Sequence, residues 1–317
     1  MRLIPLEEIK SVLPTIDLMS QIETGFVAYS AGKSVVPPVG ELLLDNPPGE
    51  VHIKYGYIQD DDYYVIKIAS GFFQNHQLGL PTSSGMMLLF SQKTGQPVAV
   101  LADEGYLTDV RTAVAGAIAA KYLAPKHVER IGIVGTGIQA RMQLEYLKGV
   151  VGCSDVLVWG RSAEKLAAYQ AEMSAAGFTV VTTLNVDEIS ASCHLIVTTT
   201  PAVEPLIRLS ALRRDGIHIT AMGSDTPHKQ EVESSVLAAA DLVVADSIPQ
   251  CLARGEIFKA LEARKIDQSG LIELGQVVSG EHPGRTDDSQ LTIADLTGVA
   301  VQDIQIAKAV FGALAHS

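Results

Sequence analysis

The hydrophobic and polar positions follow one pattern before about residue 125 and a different pattern after it. In the first part, strand-like runs with alternating apolar residues cover residues 51–58, 63–70, 85–91 and 96–102, and turn residues separate them. Alternation with a period of two is typical of strands that bury one face. The pattern predicts a mostly antiparallel sheet of at least four strands.

Two helices accompany this sheet. Residues 18–31 carry apolar side chains at helical spacing, with Asp17 in position to cap the start and Gly32 to end the helix. Residues 108–123 are rich in alanine, and Pro125 follows just beyond. We therefore expect an α+β domain over residues 1–125.

From Val128 onward, short apolar runs alternate with segments of helical composition. The expected strands cover 130–134, 155–159, 179–182, 195–199, 218–222 and 242–245, and the expected helices cover 138–149, 162–176, 187–191, 229–239 and 248–254. Six strands with helices between them predict a doubly wound parallel sheet of the Rossmann type over residues 126–289. A trailing apolar helix predicts that residues from about 290 to 317 complete the first domain.

Composition excludes several classes of partner. The 317 residues carry a formal charge of −12 without a run of five or more basic residues, which argues against nucleic acid and acidic membranes. The sequence lacks an apolar stretch long enough for a membrane span, and acids occupy the place of a signal-peptide core, so we expect a cytoplasmic protein. Three widely spaced cysteines and eight scattered histidines do not indicate a disulfide, a metal site or a covalent nucleophile.

The segment Gly135-Thr136-Gly137-Ile138-Gln139-Ala140 follows the first strand of the second domain and opens a helix. Glycines at these positions allow a tight turn and a close approach of the backbone to a pyrophosphate. The N–H groups at the start of the helix then face the phosphates. An ordinary strand-to-helix turn is the alternative for three small residues alone.

The next strand ends in Gly160-Arg161-Ser162. Sites selective for NAD usually place an acidic residue here, on the 2′-hydroxyl of the ribose. Arg161 and Ser162 instead offer a cation and a hydroxyl, which favours NADP(H) and leaves NAD(H) possible. Arg161 could also stack on the adenine or point to solvent.

Three further positions carry candidate chemistry. Lys67 lies in a strand with apolar residues on both faces, so it needs an anionic partner unless the strand is an edge strand. Arg111 and Thr112 stand in the first turn of a helix, where they could bind a carboxylate or phosphate, or be solvated. Asp225 follows a parallel strand at the edge where ligands bind, although it could be a turn or capping residue.

The chain resembles the ornithine cyclodeaminase/μ-crystallin family over nearly its whole length. The matching signatures are Tyr64-Val65-Ile66-Lys67, Thr94-Gly95-Gln96-Pro97, residues 107–113, Gly135 to Ala140, Thr198-Thr199-Thr200, Gly223-Ser224-Asp225 and residues 298–303. The resemblance implies a substrate-binding and dimerisation domain, a Rossmann domain, a homodimer and hydride exchange between a nicotinamide and an imine beside a carboxylate.

The resemblance also implies roles for individual residues. Lys67 and Arg111 correspond to the residues that hold the substrate carboxylate, and Asp225 to an acid/base on the substrate nitrogen or water. The implied cofactor contacts are Thr112, Gly135, Thr136, Gly137, Ile138, Gln139, Arg161, Ser162, Thr199, Met222 and Gly223. Many members carry a further arginine after the extended Pro-Val, where this chain has Gly40, and a threonine near the nicotinamide corresponds to Met86. Lys54 is our candidate for the missing cation.

Within the family, residues 35–43 and 51–57 most resemble bacterial Δ1-pyrroline-2-carboxylate reductases. This resemblance implies reduction of a cyclic ketimine, Δ1-pyrroline-2-carboxylate or Δ1-piperideine-2-carboxylate, to L-proline or L-pipecolate in amino-acid and hydroxyproline catabolism. The alternatives are a cyclodeaminase that acts on ornithine or lysine and recycles its NAD, an open-chain amino-acid dehydrogenase such as alanine dehydrogenase, and a nucleotide-regulated binding protein without turnover.

Overall fold

The computed structural model describes residues 1–72 and 74–315, which form two compact units. The first unit contains Met1–Thr112 and the segment from Val299 onward, and the second contains Ala113–Gly298. The boundaries therefore fall at 112 and 298, whereas the sequence pattern predicted them near 125 and 290. The roles assigned to the two domains stay predictions.

Strands predominate in the first part of the chain, and strands and helices alternate in the rest. The first 125 residues form β1 (Arg2–Pro5), α1 (Leu6–Val12), α2 (Leu18–Ser30), β2 (Ser34–Val35), β3 (Gly40–Asp45), β4 (Pro48–Ile58), β5 (Tyr63–Gly71), β6 (Ser83–Ser91), β7 (Pro97–Ala102) and α3 (Tyr106–Leu123). Beyond them lie β8 (Ile131–Val134), α4 (Ile138–Leu147), β9 (Asp155–Trp159), α5 (Ala163–Ala175), β10 (Thr179–Thr183), α6 (Val186–Ser192), β11 (Leu195–Thr198), β12 (Ile217–Ala221), α7 (Ser234–Ala239), β13 (Leu242–Ala245), α8 (Ile248–Cys251), α9 (Gly255–Glu262), β14 (Leu271–Glu273), α10 (Leu274–Ser279), β15 (Leu291–Asp295) and α11 (Ala300–Ala315).

The first unit is built on a seven-stranded sheet of order β1-β7-β6-β5-β4-β2, with β3 also paired to β4. All its pairs are antiparallel except that of β1 with β7. Lys67 pairs with Lys54 on one neighbouring strand and with Met87 on the other, so these three side chains share a face. That face is buried, and the interior position of β5 excludes the edge-strand alternative for Lys67.

The second unit contains an eight-stranded parallel sheet of order β10-β9-β8-β11-β12-β15-β13-β14. Every residue of β8, β11, β12 and β13 is buried, as expected for parallel strands covered on both faces. The order reverses between β8 and β11, which is the switch point where ligands bind in doubly wound sheets. The fold is therefore α/β, with a Rossmann sheet and a mostly antiparallel sheet, as predicted.

Several predicted elements need correction. Two strands of the parallel sheet, β14 and β15, were not predicted, and residues 291–295 were assigned to the segment completing the first domain. The helix expected at 229–239 begins only at Ser234, because residues 226–233 form turns and an isolated bridge. Helices α1 and α9 and strand β3 were also missed.

One capping prediction is confirmed. Asp17 accepts a hydrogen bond from the Ser20 amide at 3.2 Å and so caps the start of α2. The part of the chain that the structure describes lacks a helix whose length and hydropathy would suit a membrane span.

Candidate active site

The glycine turn connects β8 to α4 in the second unit. Gly135 has a φ of +122°, and a Cβ there would lie 2.7 Å from Thr199 Oγ1, so a side chain is excluded both by conformation and by space. Gly137 is the N-cap residue of α4, and among the described residues no side chain caps this helix start. Uncapped amides beside open space fit a pyrophosphate, since the N-terminus of a helix attracts anions.

Arg141, one turn into α4, stabilises the glycine turn through hydrogen bonds to two of its main-chain carbonyls. Its Nη1 donates to the carbonyl of Thr136 at 2.5 Å and to that of Gly137 at 3.1 Å. Its Nε pairs with Glu172 at 2.6 Å, and its guanidinium lies 5.2 Å from the ring centre of Tyr169. Sequence reasoning did not identify Arg141, because a charged residue in the first turns of a helix usually faces solvent.

A cavity of about 580 Å³ opens beside this turn, at the carboxyl ends of the parallel strands. Its lining residues come from the glycine turn, the end of β9 and the segment after β11, namely Gly135, Thr136, Gly137, Trp159, Gly160, Arg161, Ser162, Lys165, Thr199, Thr200, Pro201, Ala202, Val203, Glu204 and Leu206. A volume of this size is typical of a small-molecule or cofactor site. Lys165 was missed, although its place one turn into the helix that Ser162 caps could have pointed to it.

The predicted cofactor residues fall into three groups. Gly135, Thr136, Gly137, Arg161, Ser162 and Thr199 line the cavity. Ile138 and Gln139 form the first turn of α4, and Met222 and Gly223 follow β12, outside the lining. Thr112 belongs to the first unit, where its hydroxyl donates to the carbonyl of Thr108 at 2.8 Å.

Asp225 lies on the loop after β12. Its carboxylate is half-exposed and accepts a hydrogen bond from Lys229 at 2.6 Å. Its main-chain carbonyl accepts from Arg254 Nη1 at 3.2 Å. The neighbouring Ser224 is buried and donates to Glu256 Oε1 at 2.6 Å. Side chains from three positions therefore fix the conformation of this loop.

Two buried glutamates support the same loop. Glu231 accepts from Gly223 N at 2.7 Å, from Thr198 Oγ1 at 2.7 Å and from Thr200 N and Oγ1 at 2.5 and 2.7 Å, and so connects the carboxyl ends of β11 and β12. Glu256 accepts from the amide of Glu231 at 2.7 Å. Burial raises the pKa of both carboxyls, that of Glu256 to about 7.

The first unit contains a separate charged cluster. Asp303, in the first turn of α11, places Oδ2 3.2 Å from Lys67 Nζ and Oδ1 3.0 Å from Arg111 Nε. Gln302 accepts from Arg111 Nη1 at 2.9 Å. All four side chains are buried, with Lys67 2% and Asp303 1% exposed. Lys67 and Arg111 are thus brought together as predicted, whereas the carboxylate between them was not predicted.

The cluster shifts the ionisation of its members. Burial lowers the pKa of Lys67 to about 7; Asp303 opposes this shift, and Arg111 and Lys54 add to it. Burial by itself raises the pKa of Asp303, but the charges of Lys67, Arg111 and Lys54 outweigh it and leave the pKa below its ordinary value. Asp303 is therefore a carboxylate among cations.

Lys54 belongs to the cluster as well. It is buried and stands directly opposite Lys67 in the antiparallel ladder. Gly40 pairs with Ile53, and Met86 pairs with Ile68, so both lie on the other face of the sheet. The arrangement supports Lys54, rather than a residue at position 40, as the third cation beside Lys67 and Arg111.

The glycine turn, the uncapped helix and the switch-point cavity define a Rossmann-type dinucleotide-binding fold. The sequence model described as the ornithine cyclodeaminase/mu-crystallin family matches residues 3–317, and the chain belongs to this family.

Three relatives illustrate its range. An uncharacterized cyclodeaminase of Sinorhizobium fredii is 40% identical over 315 residues, covering 98% of this chain and 95% of the relative. An archaeal alanine dehydrogenase dimer with bound NAD superposes with a TM-score of 0.91 at 31% identity, covering 100% of this chain and 96% of that one. The Δ1-pyrroline-2-carboxylate reductase of Thermococcus litoralis, in complex with NADH and L-proline, gives a TM-score of 0.92 at 26% identity and covers 100% and 98%.

Proposed function

We propose that this protein reduces a cyclic ketimine carboxylate, Δ1-pyrroline-2-carboxylate, to L-proline with a reduced nicotinamide cofactor. The observation that carries the proposal is the buried cluster of Lys67, Arg111 and Lys54 around Asp303. Lys67 and Arg111 face one carboxylate side by side inside the protein, and a pair of cations in this arrangement suits a substrate carboxylate as well. The likeness to a reductase that binds NADH and L-proline supports the same choice.

In this proposal, Lys67 and Arg111 hold the carboxylate at C2 of the imine. Such charge-assisted hydrogen bonds are short and strong, and they are stronger where water is excluded. Holding the carboxylate fixes the orientation of C2, and orientation of the reactants can contribute about 7–11 kcal/mol to the rate. When bound, the cofactor supplies the hydride.

Asp225 is the proposed acid/base. Protonation of the imine nitrogen makes C2 electrophilic, and a carboxylate near that nitrogen stabilises the iminium and relays its proton. The hydrogen bonds from Lys229 and Arg254 hold the residue in one conformation. The buried glutamates beneath the loop keep Gly223 and Ser224 in place.

For the cofactor, we propose a preference for NADP(H) over NAD(H). Arg161 and Lys165 place two cations beside the Ser162 hydroxyl at the cavity, and Gly160 stands where an acidic residue would select NAD. Two of the related structures contain NAD or NADH, so NAD(H) remains the alternative.

A cyclodeaminase is the second candidate, because a relative that is 40% identical carries that name. Such an enzyme oxidises ornithine or lysine, closes the ring and reduces the same imine with its own cofactor. The third candidate is an open-chain dehydrogenase, in view of the likeness to an alanine dehydrogenase.

One assay separates these candidates. The purified protein is incubated with Δ1-pyrroline-2-carboxylate, Δ1-piperideine-2-carboxylate, or pyruvate plus ammonia, each with NADPH or NADH, and in parallel with ornithine and NAD. The proposal expects stoichiometric cofactor oxidation with a cyclic imine. Release of ammonia and proline from ornithine without net cofactor change, and no imine reduction, would instead establish the cyclodeaminase.

We also propose a homodimer. The face of the first unit's sheet opposite Lys67 carries half-exposed or exposed apolar side chains, among them Tyr55, Tyr57, Ile66, Ile68 and Met86. An apolar sheet face of this kind suits association with a second copy. Tyr57→Glu is expected to shift the mass measured by light scattering from dimer to monomer.

A further inference from the structure

We infer that Asp303 is a positioning residue: its carboxylate arranges Lys67 and Arg111 so that the two cations receive a substrate carboxylate together. This inference rests on the proposed function for the identity of the substrate, and it adds the group that organises the site. Asp303 comes from α11, far along the chain from either cation, and was not among the predicted site residues.

The geometry gives each carboxylate oxygen one partner. Oδ2 faces Lys67 Nζ at 3.2 Å, and Oδ1 faces Arg111 Nε at 3.0 Å. The lysine is anchored in the middle of β5 and the arginine in the first turns of α3, so a single carboxylate sets the separation of groups from two elements. Gln302, the preceding residue of α11, accepts from Arg111 Nη1 at 2.9 Å and fixes the plane of the guanidinium.

Both cations need this constraint for physical reasons. A lysine ammonium is a point charge on a flexible stem, and a guanidinium binds a carboxylate well only when its planar fork is aligned. Buried like charges also repel one another strongly in a medium of low dielectric constant. The carboxylate between them offsets this repulsion and leaves the cations together, ready for a second carboxylate.

The ionisation of Lys67 follows from the same neighbours. The charged groups that act on it are Asp303 from α11, Arg111 from α3, Lys54 from β4 and Asp103 from the segment before α3. Asp303 opposes the effect of burial on the pKa of Lys67, which lies at about 7. Removing the charge of Asp303 lowers this pKa further, so Lys67 loses its proton at a lower pH.

The test compares Asp303→Asn and Asp303→Glu with the wild type. The control is Asp61→Asn, which removes an ion pair to Lys308 on the same helix α11 but outside the cluster. Turnover of Δ1-pyrroline-2-carboxylate with NADPH is measured from about pH 6 to about pH 9, which extends from one unit below the Lys67 pKa of about 7 to two units above it. Binding of L-proline and of acetate is measured by calorimetry over the same range, and thermal unfolding identifies variants that fail to fold.

The inference expects Asp303→Asn to raise KM for the imine and Kd for L-proline by roughly 100-fold, since small displacements of positioning groups can cost that much. In Asp303→Asn, KM begins to rise at a lower pH than in the wild type, because Lys67 loses its proton at a lower pH. Asp303→Glu keeps the charge and therefore keeps the wild-type pH profile. Its KM is expected to lie between that of the wild type and that of Asp303→Asn. Asp61→Asn behaves like the wild type.

Several results would overturn the inference. A folded Asp303→Asn with wild-type KM, Kd and pH profile shows that Asp303 is only a structural counter-ion. If Asp303→Asn does not fold, wild-type values of KM and Kd in Asp303→Glu would likewise show that Asp303 is only a structural counter-ion. If the wild type reduces no imine, the proposed function fails, but the binding of L-proline and acetate by the wild type and by Asp303→Asn still tests the role of Asp303. If the wild type binds neither L-proline nor acetate, the inference about Asp303 is rejected.

Discussion

The two units hold positive charge in opposite ways. In the first, Lys67 and Arg111 are buried against Asp303. In the second, Arg161 and Lys165 are exposed at the rim of a cavity beside an uncapped helix. Burying a cation has a large desolvation cost, but its ion pair is strong in the interior. An exposed cation is barely desolvated, and its ion pairs contribute little free energy. We therefore propose that the first unit orients the substrate and that the second discriminates between cofactors.

The largest expected effect concerns Asp225, the proposed acid/base, which belongs to the second unit. Asp225→Asn is expected to lower kcat by roughly 10²- to 10⁴-fold, the usual contribution of a general acid/base. The variant keeps the shape of the side chain, so the KM for NADPH should stay within a few-fold. Steady-state kinetics measure both constants, and near-normal turnover would rule out Asp225 as the acid/base.

The next effect tests the buried cations. Lys67→Met removes the ammonium but keeps the apolar stem, and we expect KM for the imine carboxylate to rise by roughly 10- to 100-fold, because hydrogen bonds to charged groups contribute about 1.5–3 kcal/mol. Lys93→Met is the matched control, since Lys93 forms an exposed pair with Asp62. Equal KM values in the two variants would contradict the assignment.

Titration of Lys67 is expected to change the free energy of unfolding and the affinity for L-proline in opposite directions as the pH rises. Burial lowers the pKa of Lys67 from 10.5 to about 7, so between these values the unfolded chain binds more protons at this residue than the folded one. Stability of the wild type relative to Lys67→Met should therefore rise with pH in this window, by at most about 1.4 kcal/mol per pH unit. Affinity for L-proline should fall over the same window, because binding requires the charged lysine. Denaturant unfolding and calorimetry test the two signs, and parallel stability curves for both proteins would show that Lys67 is not shifted.

The smallest effect concerns the exposed cations. Arg161→Ala and Lys165→Ala should each raise KM for NADPH only a few-fold, in line with the roughly 0.2–1 kcal/mol of exposed charge pairs. KM for NADH should hardly change. A similar loss for both cofactors would mean that these side chains bind the adenine or the pyrophosphate and do not read the 2′-phosphate.

The sequence predicted most of the fold and only part of the site, for physical reasons that differ between residues. Alternation around Lys67 and the glycine turn at Gly135 are local signals, and the structure confirms the elements that carry them. Strand β15 is a short run that pairs with β12 and β13, which lie far from it in the chain, so no local pattern marked it as a central strand.

The missed site residues share one property: their role depends on a distant partner. Asp303 looks like an ordinary acid in the first turn of a helix, and only packing of α11 on the sheet brings it to Lys67. Glu231 and Glu256 occur in polar segments where a solvated carboxylate is the usual expectation, yet both are fully buried. Lys54 was suggested only as a replacement for the cation missing from the family pattern, and its position opposite Lys67 became visible with the register of the two strands.

The central claim is that the buried cations recognise a carboxylate on a cyclic imine, and substrate truncation tests it most directly. The measurement compares kcat/KM for Δ1-pyrroline-2-carboxylate with that for Δ1-pyrroline, which lacks the carboxylate, using NADPH for both. Two charge-assisted hydrogen bonds of about 1.5–3 kcal/mol each predict a preference of roughly 10²- to 10⁴-fold for the carboxylate. Equal values for the two imines would contradict the claim and remove the proposed role of Lys67 and Arg111.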